Sequence, residues 1–317
     1  MNILSLQKLS DKDTKTITAA GHVDYRYQVA NNVTLGDLAW ADVLLGYNDE
    51  LTDKLAKNDS VQWVQAWSAG VDQLPQQLFA QKGITLTNAS GVMVPGLAEQ
   101  IMGEMITWDR KLQHSFGAQL KHTWDELPHE KYQELGDKTL LLLGVGHIGQ
   151  QVAQLAAAFG MHVVGVRHSG RSAQNVAEMH TMKNIVKAAR GADFILNTLP
   201  VTTETTSVID KNFFEHLKDS AVYINYGRGQ TNNEADLLEA LQAKQIGGAI
   251  MDVWQTEPLP KDSPFWKLDN ILITPHTGGD TALYDSRIAE LVARNIQSMK
   301  TEQIAPTENV VDLDLRY

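Results

Sequence analysis

The 317-residue sequence contains no cysteine, which excludes disulfides, thiolate nucleophiles and cysteine-ligated zinc together. No uninterrupted apolar run reaches the length of a membrane-spanning helix, and no membrane association is expected. The opening segment MNILSLQKLSDKDTK lacks the long apolar core of a signal peptide, so the expected location is cytoplasmic. Positive charge is in deficit: 27 Lys and Arg face 38 Asp and Glu, a formal net charge of -11. Such a balance argues against a nucleic-acid partner, and any anionic ligand must be held by local groups. The ten histidines are scattered, and with cysteine absent they offer no metal-ligand cluster; no metal is expected.

What is present is an ordinary globular composition, 43% hydrophobic and 21% charged, in a chain long enough for two domains of about 100–200 residues each. Over residues 2 to 98, short apolar runs (NILSL, ADVLLGY, VQWVQAW, GITLTNAS) alternate with helical spacing, the pattern of βα units feeding a parallel sheet. One helix is predicted over 96–120, with Leu97, Ile101, Met105, Leu112 and Phe116 at apolar positions. From 138 to 274 a second series follows: KTLLLLGVG, MHVVGVR, ADFILNTLP, AVYINYG, IGGAIMDV and NILITPH. The last helical pattern, TALYDSRIAELVARNIQSMK, and the tail after it have no sheet of their own and are expected to return to the first domain. The predicted fold class is α/β, with two doubly wound parallel-sheet domains. One is flavodoxin-like and discontinuous, 1–98 plus 281–317; the other is a Rossmann domain over 99–280.

The second domain opens on LLLLGVGHIG. Gly144, Gly146 and Gly149 have the G-x-G-x-x-G spacing between a strand and a helix. That context suits a tight turn, close backbone approach to a pyrophosphate and packing of helix on strand, with free N–H groups at the helix start. His147 and Ile148 lie within this turn and join the cofactor-binding set. The following strand ends in VRHSGR, where an acid would select NAD by bonding its ribose 2′-hydroxyl. Arg167 stands there instead, followed by His168, Ser169 and Arg171. Two cations and a hydroxyl are groups a 2′-phosphate needs. NADP is therefore the expected cofactor, with NAD as the second choice; the competing view is that both arginines are solvated loop charges of an NAD enzyme.

Three further segments, NYGRG (225–229), DVWQTEPLP (252–260) and TPHTGG (274–279), each follow an apolar run. Arg228, Glu257 and His276 are thus expected on loops at strand C-termini, the edge where open α/β sheets bind ligands. In order and spacing, GVGHIG and these three segments resemble the D-isomer-specific 2-hydroxyacid dehydrogenases, which include glyoxylate/hydroxypyruvate reductases and phosphoglycerate dehydrogenase. The resemblance is strongest from 136 to 280 and looser over the first hundred residues.

The resemblance implies an enzyme transferring a hydride from NADPH or NADH to a 2-keto acid. In it Arg228 binds the carboxylate and polarises the keto group, His276 is the general acid, and Glu257 orients the imidazole. SAGVD (68–72) matches the family's substrate loop, with N–H groups around Ala69, Gly70 and Val71 holding the carboxylate. Leu199, Pro200, Thr205, Tyr226, Gly227, Asp252 and Gly278 fall at positions along the cofactor. Tyr226 stands where smaller residues are common, which suggests crowding near the nicotinamide ribose. Trp40, Tyr47, Trp67, Trp254 and Trp266 are candidates to narrow the substrate pocket, although core packing is the commoner role of such residues. The segment about 110–135 resembles the family's dimerisation arm and implies a homodimer. Two alternatives stay open: a phosphoglycerate dehydrogenase-type enzyme, for which VQWVQAWSAGVDQLPQQ supplies no extra cation, and a cofactor-sensing, corepressor-like interaction protein.

Overall fold

Apolar runs long enough for a strand and bounded by turns are buried on both faces when helices cover a parallel sheet. The computed structural model, which describes residues 1–71, 73–299 and 304–313, has two such sheets, each in its own compact unit. Unit 1 comprises Met1–Met93 and Thr281–Tyr317, and unit 2 Val94–Asp280.

In unit 1 the strands are β1 (Asn2–Ser5), β2 (Asp24–Tyr27), β3 (Val43–Leu45), β4 (Trp63–Gln65) and β5 (Thr85–Thr87), all parallel in the order β2-β1-β3-β4-β5. This is the flavodoxin-like order. One face packs Leu4, Leu44, Val64 and Leu86 against Phe79, and the other packs Ile3, Val43 and Trp63 against Ile288, Leu291 and Val292 of the helix Tyr284–Ser298. That helix therefore belongs with the first sheet although it lies at the far end of the chain. Arg294 pairs with Glu308 at 3.0 Å, and Asn309 donates to the carbonyls of Asn88 and Ser90, which fastens the segment after it.

Unit 2 contains β6 (Thr139–Leu143), β7 (His162–Val166), β8 (Glu178–His180), β9 (Phe194–Asn197), β10 (Val222–Asn225), β11 (Gly248–Met251) and β12 (Ile271–Ile273). All are parallel, in the order β12-β11-β10-β9-β6-β7-β8. The direction of winding reverses between β6 and β9, the topological switch point of a Rossmann sheet. Leu140 to Leu143 on β6 are wholly buried, and each such side chain contributes about 1.5–3 kcal/mol of burial.

Three features differ from the sequence-based expectation. The polar edge strands β2 (DYRY) and β8 (EMH) carry no apolar run, and neither was anticipated. The helix predicted over 96–120 is two helices, Val94–Asp109 and Leu112–Leu120, separated by Lys111 at φ 55° in the left-handed region. Asp109, paired with Lys138 at 2.8 Å, anchors the end of the first helix. Among the described residues no helix is long and apolar enough to cross a membrane.

Candidate active site

Every side chain singled out in unit 2 follows the C-terminal end of a strand or begins the helix after one. Gly144, at φ 97°, makes the turn out of β6, and a Cβ there would meet Thr198 Oγ1 at 2.7 Å. Gly149 lies against the Gly144 carbonyl, where a side chain has no room, while Gly146 faces open space. The helix His147–Ala158 starts at Gly146 with no side chain capping it. His147 is exposed and Ile148 half-buried. Uncapped N–H groups, a positive dipole end and an open glycine suit a phosphate group approaching this turn.

At the end of β7, Arg167 donates its backbone N–H to His180 and turns the chain through Gly170, whose N–H returns to the Arg167 carbonyl at 3.2 Å. Arg167 is half-buried; His168, Ser169 and Arg171 are exposed, and the Arg171 N–H donates to Ser169 Oγ at 3.4 Å. Among the described residues neither guanidinium is engaged by a carboxylate. The two cations therefore remain available to an anion.

After β9, Leu199 is buried and donates its N–H to Asn197 Oδ1 at 3.0 Å. Pro200 is exposed, and its carbonyl accepts the Thr205 hydroxyl at 2.6 Å, which closes the 200–205 loop. After β10, Asn225 Oδ1 accepts the Gly227 N–H at 3.0 Å. Arg228 is exposed, and its guanidinium donates to the Gly227 carbonyl at 2.9 Å. Gly229 packs directly on the Trp254 backbone, where a Cβ cannot fit. The loop is thereby pinned on both sides of Arg228.

After β11, Asp252 is buried, and its carboxylate accepts the Thr274 hydroxyl at 2.6 Å and the N–H groups of Thr277 and Gly278 at 3.1 Å. These bonds shape the loop after β12 and hold His276 at φ 54°, a conformation that costs a non-glycine residue roughly 1–2 kcal/mol. Glu257 precedes a cis proline peptide. One of its oxygens accepts the Trp254 N–H at 2.8 Å, and the other meets His276 Nδ1 at 2.7 Å. A carboxylate accepts, so Nδ1 carries the hydrogen and Nε2 is the free nitrogen of the ring. The same turn is held from outside by Glu234, which accepts the Gln255 N–H at 2.6 Å. Burial pushes the Glu234 carboxyl up, the Gln255 N–H opposes this, and the Glu257 charge adds to the rise.

Because β10, β11 and β12 are neighbours in the sheet, the loops carrying Arg228, Glu257 and His276 emerge side by side, at a strand spacing of about 4.8 Å. A fixed imidazole with one free nitrogen, beside a guanidinium, can move a proton and hold an anion.

Tyr226 does not expose its ring. It is buried, donates its hydroxyl to Glu104 Oε2 at 2.6 Å, and accepts from Gln100 Nε2 at 2.9 Å. Its hydroxyl thus makes an inward contact with the helix Val94–Asp109. Glu104 and Gln100 were missed in the sequence. Their signal is a carboxylate placed among Ile101, Met105 and Trp108 on a buried helix face. Trp254 is likewise a core residue, packed on Phe265 at 4.8 Å between centroids.

In unit 1, Ala69 is half-buried, Gly70 exposed and Val71 buried, in the turn between β4 and the helix Gln76–Lys82. Asn88 Nδ2 donates to the Ala69 carbonyl at 3.1 Å, Ser68 Oγ to the Gly70 carbonyl at 2.6 Å and Gln76 Nε2 to the Val71 carbonyl at 2.9 Å. Three successive carbonyls are thus fixed by side chains, and the N–H groups of 69–71 donate to no described protein acceptor. Asp72 lies outside the described residues. Tyr47 packs on Phe79 and bonds Thr52, Trp40 lies under Arg26, and Trp67 Nε1 donates to Asp285 at 3.3 Å. Trp266 is exposed in unit 2.

Residues 102–278 match the family model described as D-isomer specific 2-hydroxyacid dehydrogenase, NAD binding domain, more than half of the chain. The chain is 30% identical to D-3-phosphoglycerate dehydrogenase of Methanocaldococcus jannaschii over 99% of its own length and 60% of that protein's. Among solved structures, a D-isomer specific 2-hydroxyacid dehydrogenase family protein from Aeromonas salmonicida is 32% identical, with a TM-score of 0.85 and 99% of both chains covered. An NADPH-dependent glyoxylate/hydroxypyruvate reductase from Sinorhizobium meliloti, in complex with NADP and sulfate, is 26% identical with a TM-score of 0.78, covering 100% of this chain and 99% of that one. With a parallel sheet of Rossmann order, a glycine turn at its switch point and a family match running through both, the chain belongs to the D-isomer-specific 2-hydroxyacid dehydrogenase family.

Proposed function

We propose that this protein reduces a 2-keto acid to the D-2-hydroxy acid with NADPH as preferred cofactor and NADH as the weaker one. The observation that carries the reading is the 2.7 Å contact between His276 and Glu257, on loops beside the one that presents Arg228. The nicotinamide supplies the hydride when bound. Gly144, Gly146, Gly149 and the start of the helix His147–Ala158 would hold its pyrophosphate, and Arg167, Ser169 and Arg171 its 2′-phosphate.

Arg228 binds the substrate carboxylate and draws electron density toward the keto oxygen. His276 Nε2 delivers the proton to that oxygen and, in the reverse direction, removes it. Glu257 holds Nδ1, so that the reactive nitrogen keeps one orientation. In unit 1, the N–H groups of Ala69, Gly70 and Val71 suit a nest for a carboxylate. We further propose a cytoplasmic homodimer.

The substrate class draws support from the glyoxylate/hydroxypyruvate reductase of Sinorhizobium meliloti. The phosphoglycerate dehydrogenase reading is weaker, since the 60-to-72 region carries no lysine or arginine. The test is nicotinamide absorbance with NADPH, then NADH, against glyoxylate, hydroxypyruvate, pyruvate and branched 2-keto acids, with chiral analysis of the product. The expected result is faster turnover with NADPH and a D-product. Tight cofactor binding with no keto acid reduced would overturn the reading in favour of a cofactor-sensing interaction protein.

A further inference from the structure

Tyr226 is a buried residue of the Arg228 loop that also lies against the His276 loop. It directly follows β10, two residues before Arg228. On its other side Gly278, two residues after His276, lies so close to the ring that a Cβ there would collide with Tyr226 Cε1 and approach Cδ1 to 2.8 Å. The same Cβ would come within 3.0 Å of Asp252 Oδ2, the carboxylate that shapes the His276 loop. The ring is therefore a spacer beneath Gly278, in a layer with no slack.

What fixes the ring is a polar anchor on the helix Val94–Asp109. The phenol donates to Glu104 Oε2 at 2.6 Å, while Gln100 Nε2 donates to the phenol oxygen at 2.9 Å and to Glu104 Oε1 at 3.1 Å. Gln100 and Glu104 are one helical turn apart on Val94–Asp109, so one helix face presents both. Glu104 and Tyr226 are each more than nine-tenths buried. A buried carboxylate and phenol left apart would each lose a partner at the cost of an unmade charge-assisted bond, so the contact resists being pulled open.

We propose that Tyr226 is a positioning residue for the reduction: anchored by Glu104, its ring sets the spacing between the loop that carries Arg228 and the loop that carries His276. The inference rests on the proposed reductase function and adds to it a pair of residues that do not touch substrate. A phenylalanine at 226 keeps the spacer but frees it from its anchor, and displacements of about 1 Å at such a spacer lower turnover by up to about 100-fold.

The experiment is a double-mutant cycle with two readouts. Tyr226→Phe, Glu104→Leu, the double variant and the conservative Glu104→Gln are compared with the unaltered protein. One readout is kcat and KM for the best keto acid beside the NADPH dissociation constant from fluorescence titration. The other, independent of turnover, is the His276 imidazole proton resonance at fixed pH, assigned by its loss in His276→Asn. Tyr226→Phe and Glu104→Leu are each expected to lower kcat about 10- to 100-fold, shift the His276 resonance and leave the NADPH dissociation constant within about twofold. The double variant is expected to be no worse than either single, because the two residues act through one contact. Glu104→Gln, which still accepts from the phenol, is expected to recover most of kcat and the native resonance.

Variants that lose thermal stability but keep the native kcat, KM and His276 resonance overturn the proposal and leave the contact a packing feature. If the unaltered protein reduces no keto acid, the reductase reading fails by itself, and the resonance still decides whether Tyr226 positions the His276 loop.

Discussion

The side chains proposed to carry chemistry are exposed, and, Glu257 apart, those that hold their loops are buried. His276 and Arg228 lie open on their loops, whereas Asp252, Tyr226 and Glu104 beneath them are enclosed. Glu104 bears a cost for this. Burial pushes its carboxyl above the ordinary value of 4.5, the Tyr226 hydroxyl and Gln100 amide oppose that rise, and the Asp252 charge adds to it. A raised value in the folded state means that folding favours the protonated acid. Its stabilising contribution is complete below pH 4.5 and is lost as pH climbs through the raised value. Glu104→Gln carries no charge to bury, so its stability relative to the unaltered protein should grow as pH rises through that window and stay level below it. Urea denaturation across pH measures this directly, and a difference independent of pH would contradict it.

At the scale of elements, the loops of Arg228 and Glu257 follow the fully buried strands β10 and β11, and the His276 loop follows the half-buried edge strand β12. That is why so much was legible. Runs such as LLLLGVG and AVYINYG announce their strands, and the glycine-rich or proline-marked turns after them announce the loops of Arg228, Glu257 and His276. What was not legible lacks an apolar signal: β2 and β8 are polar edges, and the helix break at Lys111 has neither glycine nor proline to mark it. The Tyr226–Glu104 contact joins residues 122 apart and needs the folded sheet to bring them together. The loop after β7 carries its own prediction. Arg167→Asp exchanges the proposed phosphate-binding cation for an acid suited to the ribose 2′-hydroxyl. It should reverse the ratio of kcat/KM between NADPH and NADH, by about 10-fold or more if one charge-assisted contact worth about 1.5–3 kcal/mol is lost. An unchanged ratio would remove Arg167 from the cofactor site.

For the molecule as a whole, the stretch after the helix break carries a run of exposed apolar side chains among the described residues. Leu112, Phe116, Leu120 and Trp124 recur every four residues and are 37%, 62%, 83% and 93% exposed. A single exposed apolar side chain is unremarkable, but three on the helix Leu112–Leu120 followed by an exposed tryptophan suit burial against another chain. Sedimentation equilibrium should find a dimer at micromolar concentration, and Phe116→Glu combined with Leu120→Glu should give a folded monomer. A protein that is monomeric before any substitution would refute the homodimer. Against a net charge of -11, the cations at 167, 171 and 228 are the ones proposed to hold a negatively charged cofactor and substrate.

The account turns on His276 as proton donor. The most direct measurement compares the unaltered protein with His276→Ala for keto acid reduction by NADPH, with cofactor affinity measured in parallel by fluorescence titration. The account predicts that kcat falls by about 100- to 10,000-fold while the NADPH dissociation constant barely changes. A His276→Ala protein that turns over substrate at the native rate would contradict it.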